Sequence, residues 1–337
     1  MRAVVLKAHG GMENLVLDED YPEPRAGAGQ AVVAVKACAL NYHDVFTRRG
    51  MPGIKVPLPV VPGLDMAGEI AALGAGTEGW AIGDRVLVDP IDPVRKGLMG
   101  EMLDGGLAEY CAVSAVQLIR IPDGVSFADA AALPVAYGTA HRMMLVNGGV
   151  ERGEKVLILG ASGGVGTCCL LLAKMAGAEV VACASSQAKL EALRALGADH
   201  VVDYTRTDFV KWVFETYGKP HRRGRGGGVD VVVNYTGGDS WVKSMRCLRR
   251  GGRMLTCGAT AGFDPPTDIR YIWTFELKIL GSNSWEQDDL VRLMAMIAAG
   301  DLEPVIDRVV PLEATMAAMR AIEEREVLGK VIIDPTR

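Results

Sequence analysis

Two periodicities divide the chain. Up to about residue 125, short apolar or alternating runs recur at Ala3–Leu6, 30–37, 66–70, Arg85–Val88 and 107–113. Turn-forming clusters separate them, among them Pro22-Glu23-Pro24, Gly74-Ala75-Gly76 and Asp104-Gly105-Gly106. A β-rich domain is predicted, interrupted by one helix over 41–49 with Asn41 as N-cap and Asp44 near the positive helix end. The run 57–62, PLPVVP, is too proline-rich to be helical. At Ile121-Pro122-Asp123-Gly124 the pattern changes, and Ser126 followed by Asp129 resembles a capping box. Strands are then predicted at 155–159, Glu179–Ala184, 200–204, 230–235, 253–257 and 277–281, alternating with helices. Such alternation predicts one doubly wound parallel sheet. Amphipathic helices over 286–299 and 312–324 and a strand at 330–333 follow. The expected division is one domain over 126–300 and another over 1–125, completed by 301–337.

The sharpest local signal lies between the first two strands of that alternating region. Ala161-Ser162-Gly163-Gly164-Val165-Gly166 reads A-x-G-x-x-G, one methyl away from the dinucleotide fingerprint at its first position. Glycine lets backbone approach a pyrophosphate, and the helix that follows offers free N–H groups and its positive dipole end. A turn needed only for packing would use the same residues, but its place between a strand and a helix favours the dinucleotide. NAD-selective sites put a carboxylate about 20 residues past such a turn. Here 183–189 reads CASSQAK, with no carboxylate before Glu191. Ser185, Ser186 and Lys189 can donate to a 2′-phosphate instead, so NADPH is the expected cofactor.

Composition removes several function classes. The 337 residues carry a formal net charge of −5, which gives no support for a nucleic-acid or anionic-membrane partner. The most apolar stretch, 167–184, is broken by Lys174 and Glu179 and is a poor bilayer span. No signal-peptide pattern is visible at Met1-Arg2, and the seven scattered cysteines read as reduced thiols of a cytoplasmic protein. The basic segment 219–228, KPHRRGRGGG, precedes its strand and reads as a solvated loop on the edge away from the cofactor.

Six pieces in order, NYHDVFTRRG (41–50), VPGLDMAGEI (61–70), LPVAYGTA (133–140), ILGASGGVG (158–166), LGADHVVDY (196–204) and LGKVIIDP (328–335), resemble the medium-chain dehydrogenase/reductase superfamily, and within it the zinc-free quinone oxidoreductase branch. The resemblance implies a GroES-like catalytic domain, a Rossmann domain and a cleft between them. It implies that Asn41 lies close to the nicotinamide and the substrate carbonyl. It also implies that Thr139 and Lys330 contact the cofactor and that Tyr204 lines the 2′-phosphate site. The backbone at Tyr235 should pass the nicotinamide ribose. Gly258, Ala259 and Asn283, at the ends of the next two strands, fit a cofactor wall.

Zinc-dependent relatives carry cysteine where this chain has Asn41, and histidine before an acidic residue where it has Leu64-Asp65. Amide and leucine are not zinc ligands, and the loop 89–106 lacks the four cysteines of their structural-zinc lobe, so no metal site is expected. Tyr42 is a candidate hydrogen-bond or proton donor to substrate, or a packing aromatic; His43 is read as an exposed or hydrogen-bonded helix residue. The tyrosine that some enoyl reductases place just downstream has no counterpart in Arg49-Gly50-Met51-Pro52, which leaves the proton donor open. The expected activity is NADPH-dependent reduction of quinones or activated C=C bonds. A zinc-free alcohol or carbonyl dehydrogenase and a non-catalytic NADPH-binding protein remain alternatives. A homodimer is expected, paired through the apolar edge strand 277–281.

Overall fold

The alternating runs of the first third become strands β1 (Ala3–Leu6), β2 (Leu15–Asp18), β3 (Gln30–Leu40), β4 (Asp65–Leu73), β5 (Arg85–Val88), β6 (Ile91–Asp92), β7 (Gly97–Leu98), β8 (Tyr110–Ser114) and β9 (Leu118–Arg120). Helix α1 (Tyr42–Arg49) follows β3, and α2 (Phe127–Ala131) follows β9. Next comes α3 (Thr139–His141), flanked by π turns over Leu133–Gly138 and Arg142–Asn147. The region after it alternates as expected: β10 (Lys155–Ile158), α4 (Gly164–Met175), β11 (Glu179–Ala184), α5 (Gln187–Ala195), β12 (His200–Asp203) and α6 (Phe209–Tyr217). It continues with β13 (Val229–Val233), α7 (Ser240–Cys247), β14 (Leu248–Thr256), α8 (Ile269–Thr274) and β15 (Lys278–Gly281). The chain closes with α9 (Gln287–Ala299), β16 (Ile306–Pro311), α10 (Thr315–Glu323) and β17 (Lys330–Asp334).

This computed structural model describes residues 1–224 and 226–337; Arg225, within the basic loop, lies outside them. The chain forms two compact units, Met1–Ala136 with Gln287–Arg337, and Tyr137–Glu286. Both domain boundaries therefore differ from those expected at 125/126 and 300/301. The reason is packing: α2 lies against β3 and β4, and the Gln287 amide at the start of α9 donates to the Val116 carbonyl. The change of pattern at Pro122 marks a turn in the chain, not the end of a unit.

In the first unit β3 is the hub of a seven-stranded sheet, with β17, β4 and β8 all antiparallel to it. Its Val33, Val35, Cys38 and Leu40 share a core with Met66 and Ile70 of β4 and with Val331 and Ile333 of β17. A strand covered on both faces reads as a near-continuous apolar run, which is why β3 is plain in the sequence. Edge strand β16, parallel to β17, is not: Asp307 and Arg308 are exposed and break its alternation. The strand expected at 107–113 begins only at Tyr110, because the Leu107 carbonyl turns to accept from Val4 N–H at 2.8 Å.

The second unit is built on a six-stranded parallel sheet in the order β12-β11-β10-β13-β14-β15. Valine-rich β13 (VDVVV) and β11 (EVVACA) are almost wholly buried, as parallel strands between helical layers must be. The strand order reverses between β10 and β13, and crevices that take ligands open at such a switch point, beyond the carboxyl ends of the strands. The basic loop leads into β13 and so lies at the opposite edge. Among the described residues no helix is long and apolar enough to cross a membrane.

Candidate active site and cofactor cradle

In the second unit, the carboxyl ends of the parallel strands bring most of the expected cofactor residues to one edge. The Ala161–Val165 segment follows β10 and opens α4, whose N-cap is Gly163. Ala161 N–H donates to the Cys183 carbonyl at 3.1 Å, fastening the turn to the end of β11. Gly166 is required by space: a Cβ there would stand 2.4 Å from the Gly160 carbonyl oxygen and 2.6 Å from the Tyr235 hydroxyl. Gly163 has room instead: a Cβ there would come no closer than 3.7 Å to the surrounding heavy atoms, so a phosphate oxygen can approach the α4 N–H groups. The Tyr235 hydroxyl donates to the Gly160 carbonyl at 2.6 Å. Burial raises its phenol well above the usual value, so its side chain acts as a neutral prop beneath the turn.

Ser185 and Ser186 follow β11, and Ser186 caps α5 by accepting from Lys189 N–H. Exposed Tyr204 stands beside them, its N–H on the Ala184 carbonyl at 3.2 Å. One carboxylate here carried no sequence signal. Asp203, at the end of β12, is the register partner of Ala184. Thr205 donates to its Oδ1 from both hydroxyl and N–H, holding the carboxyl below the usual range.

After β13 the buried Asn234 organises the loop: its Oδ1 accepts from the N–H groups of Thr236 and Gly237, each at 3.0 Å, and its Nδ2 donates to Ser240 and Ser244. An acid at that position would offer no donor to the serine hydroxyl oxygens, which accounts for the amide. Thr260 and Ala261 N–H groups bond the Tyr235 and Thr236 carbonyls, so the loop bearing Gly258 and Ala259 is tied to the loop after β13. Asn283 is exposed beyond β15, and Thr139 is buried in α3, which packs against α4.

The first unit holds a second cluster around Asn41. β3 delivers Leu40 and Asn41 to the start of α1, β4 begins at Asp65, and β17 begins at Lys330. The Asn41 amide donates to Asp65 Oδ2 at 2.8 Å and to the Ala39 carbonyl at 3.2 Å. The Lys330 ammonium donates to Asn41 Oδ1 at 2.5 Å, the Leu40 carbonyl at 2.9 Å and Asp65 at 3.3 Å. Asp65 Oδ1 accepts from Val135 N–H at 3.0 Å. Lys330 is 2% exposed and Asp65 0%, so this is a closed set in which both amide protons and all three ammonium protons are used. Lys330 is thus held inside the first unit, its ammonium shared among Asn41, Leu40 and Asp65.

Asn41 occupies the N-cap position, but the reach-back bond there is made by Asp44, whose Oδ2 accepts from Asn41 N–H at 2.7 Å. Asp44 Oδ1 accepts from Gly63 N–H at 3.1 Å. Burial lifts Asp44 to about 6 and raises Asp65 above the usual carboxylate range, while Lys330 pulls Asp65 part of the way back. Cys38 lies in the same core, its thiol raised well above the usual value by burial, which makes it unreactive.

In the first turn of α1, His43 Nε2 bonds Glu101 Oε2 at 2.6 Å. The Glu101 side chain is 6% exposed and the His43 side chain 29%. Burial alone would lower the imidazole; the bond to Glu101 and its charge outweigh that and raise it above its usual value. Tyr42 packs edge-on against Phe46, ring centroids 5.0 Å apart. Among the described residues, no group of three or more His, Cys, Asp or Glu side chains is placed to hold a metal ion. Sequence reasoning missed Glu101 and the ion-pair role of Asp65, and gave Asp44 only its place near the positive helix end. Asp65 stood out only as the neighbour of a lost metal ligand, and Glu101 carried no signal.

Comparison with known proteins agrees with this two-part architecture. Residues 27–123 match the family model for the alcohol dehydrogenase GroES-like domain, and 164–299 that for the zinc-binding dehydrogenase domain. The chain is 30% identical to crotonyl-CoA reductase of Streptomyces avermitilis, over 93% of this chain and 80% of that protein. It is 32% identical to the chloroplastic NADPH-dependent alkenal/one oxidoreductase of Arabidopsis thaliana, over 99% of this chain and 80% of that protein. The crystal structure of an NAD-dependent alcohol dehydrogenase superposes with a TM-score of 0.91 at 36% identity, covering 99% of both chains.

Proposed function

Because this chain belongs to the medium-chain dehydrogenase/reductase superfamily, we propose that it reduces quinones or activated C=C bonds, in enones or enoyl thioesters, with NADPH and without zinc. Bound NADPH supplies the hydride. The α4 N-terminus at Gly163, Gly164 and Val165 receives the pyrophosphate, with Tyr235 fixing the turn beneath it. Ser185, Ser186, Lys189 and Tyr204 meet the 2′-phosphate, where β11 ends without a carboxylate of its own. Thr139, Gly258, Ala259 and Asn283 form the wall on the nicotinamide side.

One observation carries the choice of substrate: Asn41, Asp65 and Lys330 satisfy one another where zinc relatives hold their metal. Hydride addition to an isolated carbonyl concentrates charge on one oxygen, which in those relatives a Lewis acid stabilises. A single hydrogen-bond donor contributes about 3 kcal/mol to such an oxyanion. An enone or quinone spreads the charge over an enolate or hydroquinone anion and needs less. The Asn41 amide supplies the donor by exchanging its longer bond, 3.2 Å to Ala39, for the substrate oxygen, while Lys330 polarises it through Oδ1.

The likeness to an NAD-dependent alcohol dehydrogenase favours a second reading, reduction of simple carbonyls. Chelator-treated protein with NADPH separates the two. The proposal expects kcat/KM for an enone or quinone to exceed that for an aliphatic ketone by about tenfold or more, a difference of about 1.4 kcal/mol in the barrier. A ketone that reacts faster overturns it. We further propose a homodimer built through β15, which among the described residues pairs only with β14.

A further inference from the structure

The geometry points to His43, held by Glu101, as the proton donor to the reduced acceptor; this rests on the reductase reading above. The closed cluster beside it cannot supply the proton. A carboxamide N–H donates a hydrogen bond but not a proton, and all three Lys330 protons are held by Leu40, Asn41 and Asp65. His43 and Tyr42 are the half-buried titratable groups of the first α1 turn, and of the two His43 ring nitrogens Nε2 is the one bound. The other ring nitrogen, Nδ1, has no partner among the described residues. Glu101 is nearly buried and His43 is its side-chain partner, so the carboxylate fixes the ring and compensates an imidazolium.

The charged groups around the ring favour its protonated form. Glu101 faces it from the turn after β7, Asp44 from its own helix, and Asp65 from β4 with Lys330 of β17 behind it. A carboxylate that orients one ring nitrogen while the other meets the reacting group is a general acid–base arrangement.

The step balances. Hydride leaves NADPH, which is oxidised to NADP+, and bonds to the β-carbon, while the C=C electron pair moves toward the carbonyl to form an enolate. The N–H bond at His43 Nδ1 then breaks as a new bond to that enolate forms. The neutral imidazole regains its proton from solvent.

The test is the pH dependence of kcat/KM for NADPH-dependent enone reduction in wild type, His43→Gln, Glu101→Gln and Tyr42→Phe. Wild type should lose activity as pH rises through the His43 value. His43→Gln should lose about a hundredfold or more and its descending limb as well, the usual worth of a general acid. Glu101→Gln should move the limb to lower pH, an effect loss of packing alone would not produce. Tyr42→Phe should keep the limb. A His43→Gln enzyme within threefold of wild type, or one that keeps the limb, overturns the assignment, as does a limb lost only in Tyr42→Phe. Wild type inactive on every enone and quinone would count against the reductase reading itself, and circular dichroism and NADPH binding confirm that each variant folds.

Discussion

Replacing Lys330 with methionine keeps most of the stem and removes the ammonium, so it isolates the charge in the Asn41 cluster. The pair it breaks is 3.3 Å long, with side chains 2% and 0% exposed. Removing one partner of a buried pair typically costs about 3–5 kcal/mol, because the other charge is left uncompensated. Lys330→Met should therefore lose about that much near neutral pH. The pH dependence has a definite sign. Burial already raises the Asp65 carboxyl and Lys330 lowers it, so removing Lys330 raises it further. A carboxyl raised in the folded state favours folding when protonated. The deficit of Lys330→Met should thus be greatest above the raised Asp65 value and shrink as pH falls through it toward about 4, the unfolded value. Because the chain has two units, stability is best read from hydrogen exchange of β3 and β17 amides at increasing urea, which reports on the first unit alone. Adding Asp65→Asn should recover part of the loss, giving a coupling energy of at least about 1 kcal/mol. A Lys330→Met protein within about 1 kcal/mol of wild type, or a loss independent of pH and additive with Asp65→Asn, would refute the reasoning.

Other consequences are direct. Gly166→Ala puts a methyl 2.4 Å from the Gly160 carbonyl oxygen and should raise the Kd for NADPH by about tenfold or more with far-ultraviolet circular dichroism unchanged; an unaltered Kd would show the turn is not the cradle. Ser185→Asp places a carboxylate at the end of β11 and should lower kcat/KM with NADPH by about tenfold while sparing NADH; equal effects on both would count against the 2′-phosphate assignment. Light scattering at micromolar concentration should give twice the 35.8 kDa chain mass, and Lys278→Pro in β15 should give monomer; a monomeric wild type would end the dimer proposal.

The glycine turn was legible because backbone approach and helix opening each demand glycine locally, whatever the rest of the chain does. The parallel sheet was legible for a similar reason: strands such as 229–233 are apolar throughout because both faces are covered. What could not be read was pairing across long sequence separations. Lys330 meets Asp65 across 265 positions and His43 meets Glu101 across 58, and nothing in either local pattern names the partner. Asn41 illustrates the limit well. Its place at the start of α1 followed from the sequence, but the use of its amide on Asp65 and Lys330 depends on three strands meeting. The limits of the two compact units were hidden for the same reason, since α2 is grouped by its packing on β3 and β4.

The central claim is that hydride goes to the conjugated carbon and not to the carbonyl. The most direct measurement uses NADPH doubly deuterated at C4, chelator-treated protein and an α,β-unsaturated ketone, with products read by NMR. The account predicts a saturated ketone carrying one deuterium on the β-carbon. An allylic alcohol with deuterium on the carbinol carbon would contradict it.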